Sequence, residues 1–396
     1  MIKSFLFTIF LLLQINAFAD KPKLNPLASY DNEYISTHFG VAAVLDYTNF
    51  NQDDKSLEQV PRQDNQLDLR VLRTAAYGQL KFLGNWTYIV ALGHADYIED
   101  DSDTFVKIYN LEVTYHFTGS DGRLTIGKQK EPFVYQQVGY SLGLPHYERF
   151  MTSMFSTRNI GVRYINTYAQ KTGTYAFGIF NDYIEEGNSI SDNGTDVSGR
   201  VTKILWSQND MKSYLHVGAS ARYSEANDGF IQYTAKPESD VADIYLDTGN
   251  IHANHAYTGA VETLISYKNY SFLGEYAQNK VDRINTSNVS FNGYYALVSW
   301  IVTGESRPYD ERNGYALGVS PTSKYGAIEL IAKYGELDMN DKDINGGHLS
   351  KWLAGVNWWL SDEYRLSVSY GTADLDRFGK NGKTDILLFR LQWSQF

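Results

Sequence analysis

Hydrophobic and polar residues alternate along most of this chain, and the clearest example lies between Phe105 and Phe117. Successive side chains of a strand point to opposite faces, so this stretch has one apolar and one polar face. The apolar face carries Leu111, Val113, Tyr115 and Phe117, and the polar face carries Asn110, Glu112, Thr114 and His116. The same alternation recurs in 328–333 and 364–370, which indicates an all-β protein built from two-faced strands.

The alternating segments are joined by short and long connections in turn. Outer-membrane barrels have this arrangement, with an even number of antiparallel strands. The predicted strands are 34–46, 66–82, 85–97, 104–118, 122–129, 158–170, 174–182, 197–208, 212–224, 254–268, 270–282, 290–304, 324–337, 348–360, 363–374 and 382–396. The segment 304–324 is predicted to be a long periplasmic connection and no part of the wall. We therefore expect a transmembrane antiparallel β-barrel of about 16 strands, with both termini at the short-turn end.

The first 19 residues have the features of an export signal. Lys3 provides a positive start, 5–13 are apolar, and 17–19 form a small-x-small cleavage site. This apolar run is shorter than the roughly 20 residues that a transmembrane helix needs. We expect residues 1–19 to be removed, and residues 20–396 to form a single barrel domain in the outer membrane of a Gram-negative bacterium.

Composition narrows the class of protein further. The chain has no Cys, which excludes a disulfide scaffold and thiolate metal sites. Its net charge of −11 argues against nucleic acid as a partner. The 31 Tyr, 20 Phe and 7 Trp fit either the aromatic core of a large soluble sheet protein or two aromatic girdles at membrane interfaces. The export signal and the alternation together favour the girdles.

Several segments resemble the phosphate-selective porin O and P family, in the family's order. They are Gly127 to Phe133 (GKQKEPF), Glu148-Arg149, Arg158 to Val162, Leu246 to Gly249, Trp300 to Glu305, Gly326 to Leu330 and Gly355 to Leu360. Each segment is unspecific by itself, whereas the ordered set covers most of the chain. The resemblance implies a sixteen-stranded barrel that forms homotrimers, with a loop at 130–157 that folds back into the lumen and constricts it. It also implies a porin in which basic residues attract anions such as phosphate.

Strand parity predicts which side chains face the water-filled lumen. A ring or ladder of basic groups there admits anions and releases them. Parity places Arg123, Arg163, Arg222, Lys333, Arg365 and Arg390 inward, and Lys128 is included as a further pore-lining residue. The family resemblance, through the loop at 130–157, adds Lys130, Glu131, Arg149 and Arg158 as constriction residues. Glu112, Glu275 and Glu329 are also predicted inward. A lumen lined by charges of both signs, without anion preference, therefore stays open as an alternative.

The expected function is passive diffusion of small hydrophilic solutes, anionic or neutral, through an outer-membrane channel in contact with lipid and lipopolysaccharide. We find no catalytic motif, no metal site and no sign of a cofactor. Two alternatives remain: a barrel with a blocked lumen that serves as a surface scaffold or adhesin, and an outer-membrane hydrolase with dispersed site residues.

The last strand carries one irregularity. Its apolar face falls on odd positions up to Trp393, whereas the final aromatic residue, Phe396, is even. Either a bulge near Ser394 shifts the register, or Phe396 is a recognition signal for barrel insertion that does not continue the lipid-facing surface.

Overall fold

The computed structural model describes residues 26–94, 106–154, 158–181, 194–208 and 211–396. The predicted export signal therefore lies outside the described residues. Sixteen antiparallel strands form the wall: β1 (Ile35–Gln52), β2 (Gln66–Leu80), β3 (Trp86–His94), β4 (Val106–His116), β5 (Arg123–Gln129), β6 (Asn159–Tyr168), β7 (Gly173–Asn181), β8 (Thr195–Gln208), β9 (Ser213–Glu225), β10 (Ile251–Tyr267), β11 (Tyr270–Arg283), β12 (Val289–Ile301), β13 (Ala327–Asp341), β14 (Ile344–Trp359), β15 (Tyr364–Arg377) and β16 (Lys380–Gln395). Each strand pairs with its sequence neighbours, and β1 also pairs with β16, which closes the barrel.

The remaining elements are short. Two further strands, Ala28–Asp31 and Phe230–Ile231, extend the wall sheet, while Thr234–Ala235 pairs with Leu246–Asp247 and Tyr309–Asp310 pairs with Tyr315–Ala316. Two single-turn helices, α1 (Asp54–Leu57) and α2 (Tyr135–Val138), and three 3₁₀ turns, Lys81–Leu83, Ser141–Gly143 and Thr152–Met154, complete the list. In these described ranges no helix is long and apolar enough to cross a membrane.

The prediction of sixteen wall strands is confirmed, but several strands are longer than expected. β1 runs to Gln52, beyond its predicted end at 46. The predicted long connections 338–347 and 375–381 are two-residue turns at 342–343 and 378–379. At the second of these, Phe378 and Gly379 have φ angles of 57° and 72°, as a type I′ hairpin turn requires.

The alternation between Phe105 and Phe117 is not strict, contrary to expectation. Ala91 of β3 pairs with Asn110 of β4, but the next residue, Leu92, pairs with Ile108. Tyr109 is therefore the extra residue of a β-bulge, which changes the direction of the side chains before it.

The wall places apolar side chains outside and charged side chains inside, the reverse of a soluble protein. On β10, Tyr257, Val261 and Ile265 are 54, 56 and 41% exposed, whereas Glu262 of the other face is 6% exposed. Exposed aromatic side chains cluster near the end of the barrel that has the β10–β11 turn and the C-terminus, and a second set lies farther along the wall strands. The first set includes Trp206, Tyr267, Tyr270, Trp300 and Trp358, and the second Tyr276, Tyr334, Trp352, Tyr370 and Phe389. This outer surface suits a lipid bilayer with aromatic girdles.

Phe396 lies on the inner side of the barrel. The pairing of β16 with β1 continues without a register shift from Leu391 to Gln395, so the predicted bulge near Ser394 is absent from this pairing. The Phe396 ring packs against the buried cluster of Ala42, Val44 and Leu142. Gly40 leaves the space for it, because a Cβ there would lie 2.2 Å from the ring.

Candidate functional site

The segment that follows β5, the inner loop (residues 130–154), lies inside the barrel. The Glu275 carboxylate on β11 accepts hydrogen bonds from the backbone N–H groups of Tyr135 (2.5 Å) and Gln136 (3.2 Å), at the start of α2. Wall side chains donate to backbone carbonyls farther along the loop: Gln392 to Leu142 (3.0 Å), Arg365 to Leu144 (2.7 Å), Asn357 to Pro145 (2.8 Å) and Arg390 to Tyr147 (3.0 Å). Irregular backbone at membrane depth is tolerated because its polar groups are satisfied in this way.

Apolar side chains hold the same loop against β9–β16. Phe133, Phe150 and Met151 are at most 1% exposed. The Phe150 ring lies over Gly335 of β13, where a Cβ would come within 2.7 Å of the ring. One side of the lumen is therefore filled by packed side chains.

The connection between β12 and β13, the strap (residues 302–326), also enters the lumen. The prediction that it adds no wall strand is confirmed, but it is more than a connection outside the barrel. Arg307 donates to the inner-loop carbonyl of Gly143 at 2.9 Å and forms an ion pair with Glu329 of the wall. At the tip, Arg123 donates to the Arg312 carbonyl (2.6 Å) and Arg200 to the Gly314 carbonyl (2.7 Å). The strap therefore crosses from β12 and β13 to β5 and β8.

Many inward-facing cations are neutralised by carboxylates. Arg222 pairs with Glu131 at 2.9 Å and with Asp196 at 2.6 Å, and Arg200 pairs with Glu262 at 2.5 Å. Further pairs join Lys333 to Glu238 of the loop 226–250, and Arg390 to both Asp46 and Glu148. Because each pair is buried, these cations hold the inner segments to the wall and are not free to meet a solute.

Glu148 shows how strong this pairing is. Its carboxylate accepts hydrogen bonds from Arg70 at 2.9 and 3.0 Å and from Arg390 at 3.0 Å. Burial raises the pKa of Glu148, but the Arg70 and Arg390 charges and hydrogen bonds outweigh it and lower that pKa to about 2. Glu148 therefore stays ionised and anchored at neutral pH.

The opposite side of the lumen, along β2–β7, contains open space. A cavity of about 620 Å³, here called the vestibule, reaches from the end of β16 to the middle of β2–β4. A second cavity of about 200 Å³ lies beside β4, β6 and β7. Both are lined by Asn110, Lys130, Tyr140 and Tyr315, so they adjoin each other between the inner loop and the wall, and the two together are here called the passage.

Five cations form the basic cluster at this passage: Arg73, Lys130, Arg158 and Arg163 line its cavities, and Arg149 lies near Lys130 and Arg158. Within the described part of the chain none of them has a carboxylate within 4.0 Å, unlike Arg222, Lys333 and Arg390 of the filled side. The bulge at Tyr109 organises two of them, since the guanidinium carbons of Arg73 and Arg158 lie 3.9 and 4.7 Å from its ring centroid. Arg158 also donates to Asn110 Oδ1 at 3.1 Å.

The basic cluster creates a positive potential that lowers the pKa values of several of its own members. Burial, followed by the charges of Arg149 and Arg158, lowers the pKa of Lys130 well below its ordinary value. Burial and the Arg73 charge likewise lower the pKa of Arg158, to about 9. The potential therefore favours an anion beside these side chains.

The structure brings four of the ten sequence-predicted site residues into the basic cluster: Lys130, Arg149, Arg158 and Arg163. Arg123 lies at the strap tip, Glu131, Lys333 and Arg390 are in ion pairs, and Arg365 holds the inner loop. Lys128 lies on β5 opposite Leu111, and its side chain is buried at 4% exposure and lines neither cavity of the passage. The inward prediction for Arg222, Glu275 and Glu329 agrees with their contacts.

Sequence reasoning missed other lumen residues, chiefly Arg70, Arg73, Tyr109, Arg200, Glu262 and Arg307. The alternation of Val197, Gly199 and Val201 with Ser198, Arg200 and Thr202 would have identified Arg200. Tyr109 is hidden by its bulge and Arg307 by its position in the strap, so neither has a parity signal.

The comparisons with known proteins agree with this architecture. A family model described as "Phosphate-selective porin O and P" matches residues 43–394. An uncharacterised protein of Caulobacter vibrioides is 25% identical over 303 residues, which are 69% of this chain and 57% of that protein. Porin O of Pseudomonas aeruginosa is 24% identical over 261 residues, 56% of this chain and 59% of its own length. The alignments thus cover less than two thirds of each relative.

Solved structures share the fold at low identity. The outer membrane channel DcaP of Acinetobacter baumannii aligns with a TM-score of 0.57 at 12% identity, covering 93% of this chain and 100% of its own. An anion-selective porin from Comamonas acidovorans gives 0.56 at 12% identity, covering 91 and 99%. The trimer form of OmpT from Vibrio cholerae gives 0.56 at 9% identity, covering 91 and 99%.

Proposed function

The chain belongs to the phosphate-selective porin O and P family, and we propose that it forms a water-filled channel in the outer membrane for passive diffusion of small hydrophilic solutes. Anions, phosphate among them, are the preferred solutes. In this proposal the passage between the inner loop and β2–β7 is the conducting path, and the inner loop is its constriction. The channel requires neither a catalytic residue nor a cofactor.

The observation that carries the anion preference is the unequal pairing of cations in the lumen. On the filled side Arg222, Lys333 and Arg390 are paired with carboxylates, whereas the five cations of the basic cluster have no such pair among the residues that the structure describes. The carboxylates in the lining are Glu112 in the smaller cavity and Asp362 and Glu363 in the vestibule. The lining of the passage thus carries more positive than negative charge, which lowers the electrostatic barrier for an anion.

The surroundings and the assembly of the barrel are part of the same proposal. The exposed apolar face of the wall fits contact with outer-membrane lipid, and its ends fit contact with lipopolysaccharide. The trimer form of OmpT, whose fold this chain shares, supports a homotrimer. Light scattering of the detergent-solubilised protein tests this, and a monomer would contradict it.

Planar-bilayer recording of the purified protein tests the channel. We expect stepwise conductance and, under a salt gradient, a reversal potential of the sign for anion selectivity. Arg158→Gln should reduce that selectivity, whereas Lys380→Gln, which removes an exposed charge paired with Glu58 near the β15–β16 turn, should leave it unchanged. Cation selectivity of the unmodified protein would contradict the proposal.

A blocked scaffold is the competing possibility, because three inner segments fill much of the lumen. Deletion of residues 130–154 separates the two: it should increase the conductance of a channel and have no effect on a barrel that does not conduct. Absence of conductance from both proteins would favour the scaffold.

A further inference from the structure

The vestibule combines an apolar compartment with a cationic end. Its apolar lining includes Ala75, Ile89 and Ala91 of the wall, Leu142 of the inner loop and Val319 of the strap. Arg73, Lys130 and Arg158 of the basic cluster line the same cavity. An inorganic anion contacts only the cationic end and leaves the apolar lining in contact with water.

A row of small side chains across the inner wall makes room for the apolar compartment. Gly40 of β1 pairs with Ala75 of β2, which pairs with Ala91 of β3. On the same inner face, the pair two residues before Ala75 is Arg73 with Gly93, and the pair two residues after it is Tyr77 with Ile89. The recess over the two alanines is therefore bounded by a cation at one end and by an aromatic and an aliphatic side chain at the other.

Two hydrogen-bond donors beside this recess are not satisfied by the described part of the protein. The Nε atom of Arg73 and the Oη atom of Tyr77 are buried and have no hydrogen-bond partner among the described residues. Since side chains two positions apart on a strand are about 7 Å apart, Arg73 and Tyr77 lie about 13 Å from each other along β2. That distance accommodates a carboxylate head and an attached ring.

We propose that the vestibule binds organic monoanions that have an apolar body, such as aryl carboxylates, as they pass through the channel. This inference rests on the proposed function and specifies its substrate class. The carboxylate lies beside Arg73 and Arg158, where charge-assisted hydrogen bonds are strong. The ring lies over Ala75 and Ala91 and faces Leu142 and Val319, where its burial is favourable.

Block of the chloride current in planar bilayers is a direct test, with sodium benzoate and sodium gluconate as probes at equal ionic strength. Both are organic monoanions, but gluconate has no apolar face. We expect benzoate to reduce the current with an apparent dissociation constant about tenfold lower than that of gluconate. Equal block by the two anions would overturn the proposal, even if the channel is open and anion-selective.

Variants locate the site. Ala91→Leu fills the recess and should weaken benzoate block about tenfold while affecting phosphate block much less. Ala176→Leu, the same change in the neighbouring cavity, should leave the benzoate-to-gluconate ratio as it is. Arg73→Gln should weaken block by both benzoate and phosphate. Unchanged benzoate block in both Ala91→Leu and Arg73→Gln would contradict the assigned position.

Calorimetric titration of the detergent-solubilised protein with benzoate and with gluconate keeps this inference separate from the channel proposal. Preferential benzoate binding supports the vestibule site even in a barrel that shows no conductance. Equal heats for the two anions, or none, would overturn the site whether or not the barrel conducts. The comparison uses unmodified protein and does not depend on the folding of a variant.

Discussion

Asp46 of β1 lies directly opposite Arg390 of β16, and the guanidinium donates to both carboxylate oxygens, at 2.7 and 2.6 Å. The two residues are 344 positions apart in sequence. This ion pair joins the first and last strands of the wall, and Arg390 also binds Glu148 of the inner loop. One side chain thus links closure of the barrel to the position of the loop that narrows it.

Arg390→Gln should destabilise the barrel strongly. Removal of one partner leaves Asp46 as a buried, uncompensated charge, and such losses cost about 3–5 kcal/mol. The temperature at which the folded band disappears on semi-native electrophoresis measures the effect. Lys380→Gln removes the exposed pair with Glu58 and should cost less than about 1 kcal/mol, so equal shifts in both variants would contradict a special role for Arg390.

The stability of the barrel should depend on pH through Glu148. Its pKa is lowered in the folded protein to about 2 from an ordinary value of 4.5. A lowered carboxyl pKa contributes stability that is complete above 4.5 and is lost as the pH falls towards 2. In Glu148→Gln the thermal transition should vary less over this pH range than in the unmodified protein. An identical pH profile in both proteins would show that other groups control the acid transition.

Anion selectivity should fall as the pH rises, because the pKa of Lys130 is lowered by burial and by the neighbouring cations. A lowered lysine pKa means that the positive charge is lost below the ordinary value of 10.5. Reversal potentials recorded from about pH 6 to about pH 10 measure this loss. Lys130→Arg keeps the charge over this range and should flatten the profile. A variant profile as steep as that of the unmodified protein would assign the pH dependence elsewhere.

The position of the strap can be tested at its tip. Gly314 has a φ of +70°, and a Cβ there would lie 2.6 Å from Thr174 Oγ1 and 2.8 Å from Thr202 Oγ1. Gly314→Ala should therefore displace the tip and change the single-channel conductance. The positive φ should in addition cost about 1 kcal/mol of backbone strain.

Gly379→Ala, in the β15–β16 turn, is the matched control for this strain. Its φ is +72°, and nothing lies within 4 Å of the added Cβ. It should lower thermal stability by a similar amount and leave conductance unchanged. Identical conductance changes in the two variants would indicate strain and not displacement of the tip.

The sequence by itself determined the wall of this protein. A period of two residues is a local property, so alternation located all sixteen strands and the inward side of Arg163, Arg222 and Arg390. Where the backbone departs from that period, as at the Tyr109 bulge, parity fails, and the cation–aromatic contacts of Arg73 and Arg158 could not be foreseen.

The tertiary structure alone decided which inward cations are neutralised. Lys333 meets Glu238 and Arg390 meets Asp46 because the barrel closes and inner segments fold across it, which brings together residues far apart in the chain. Of the cations that have no such partner among the described residues, Arg73, Lys130, Arg158 and Arg163 line the open passage. Alternation fixes the side of the wall on which a charge lies, but its partner depends on the path of segments that have no periodic pattern.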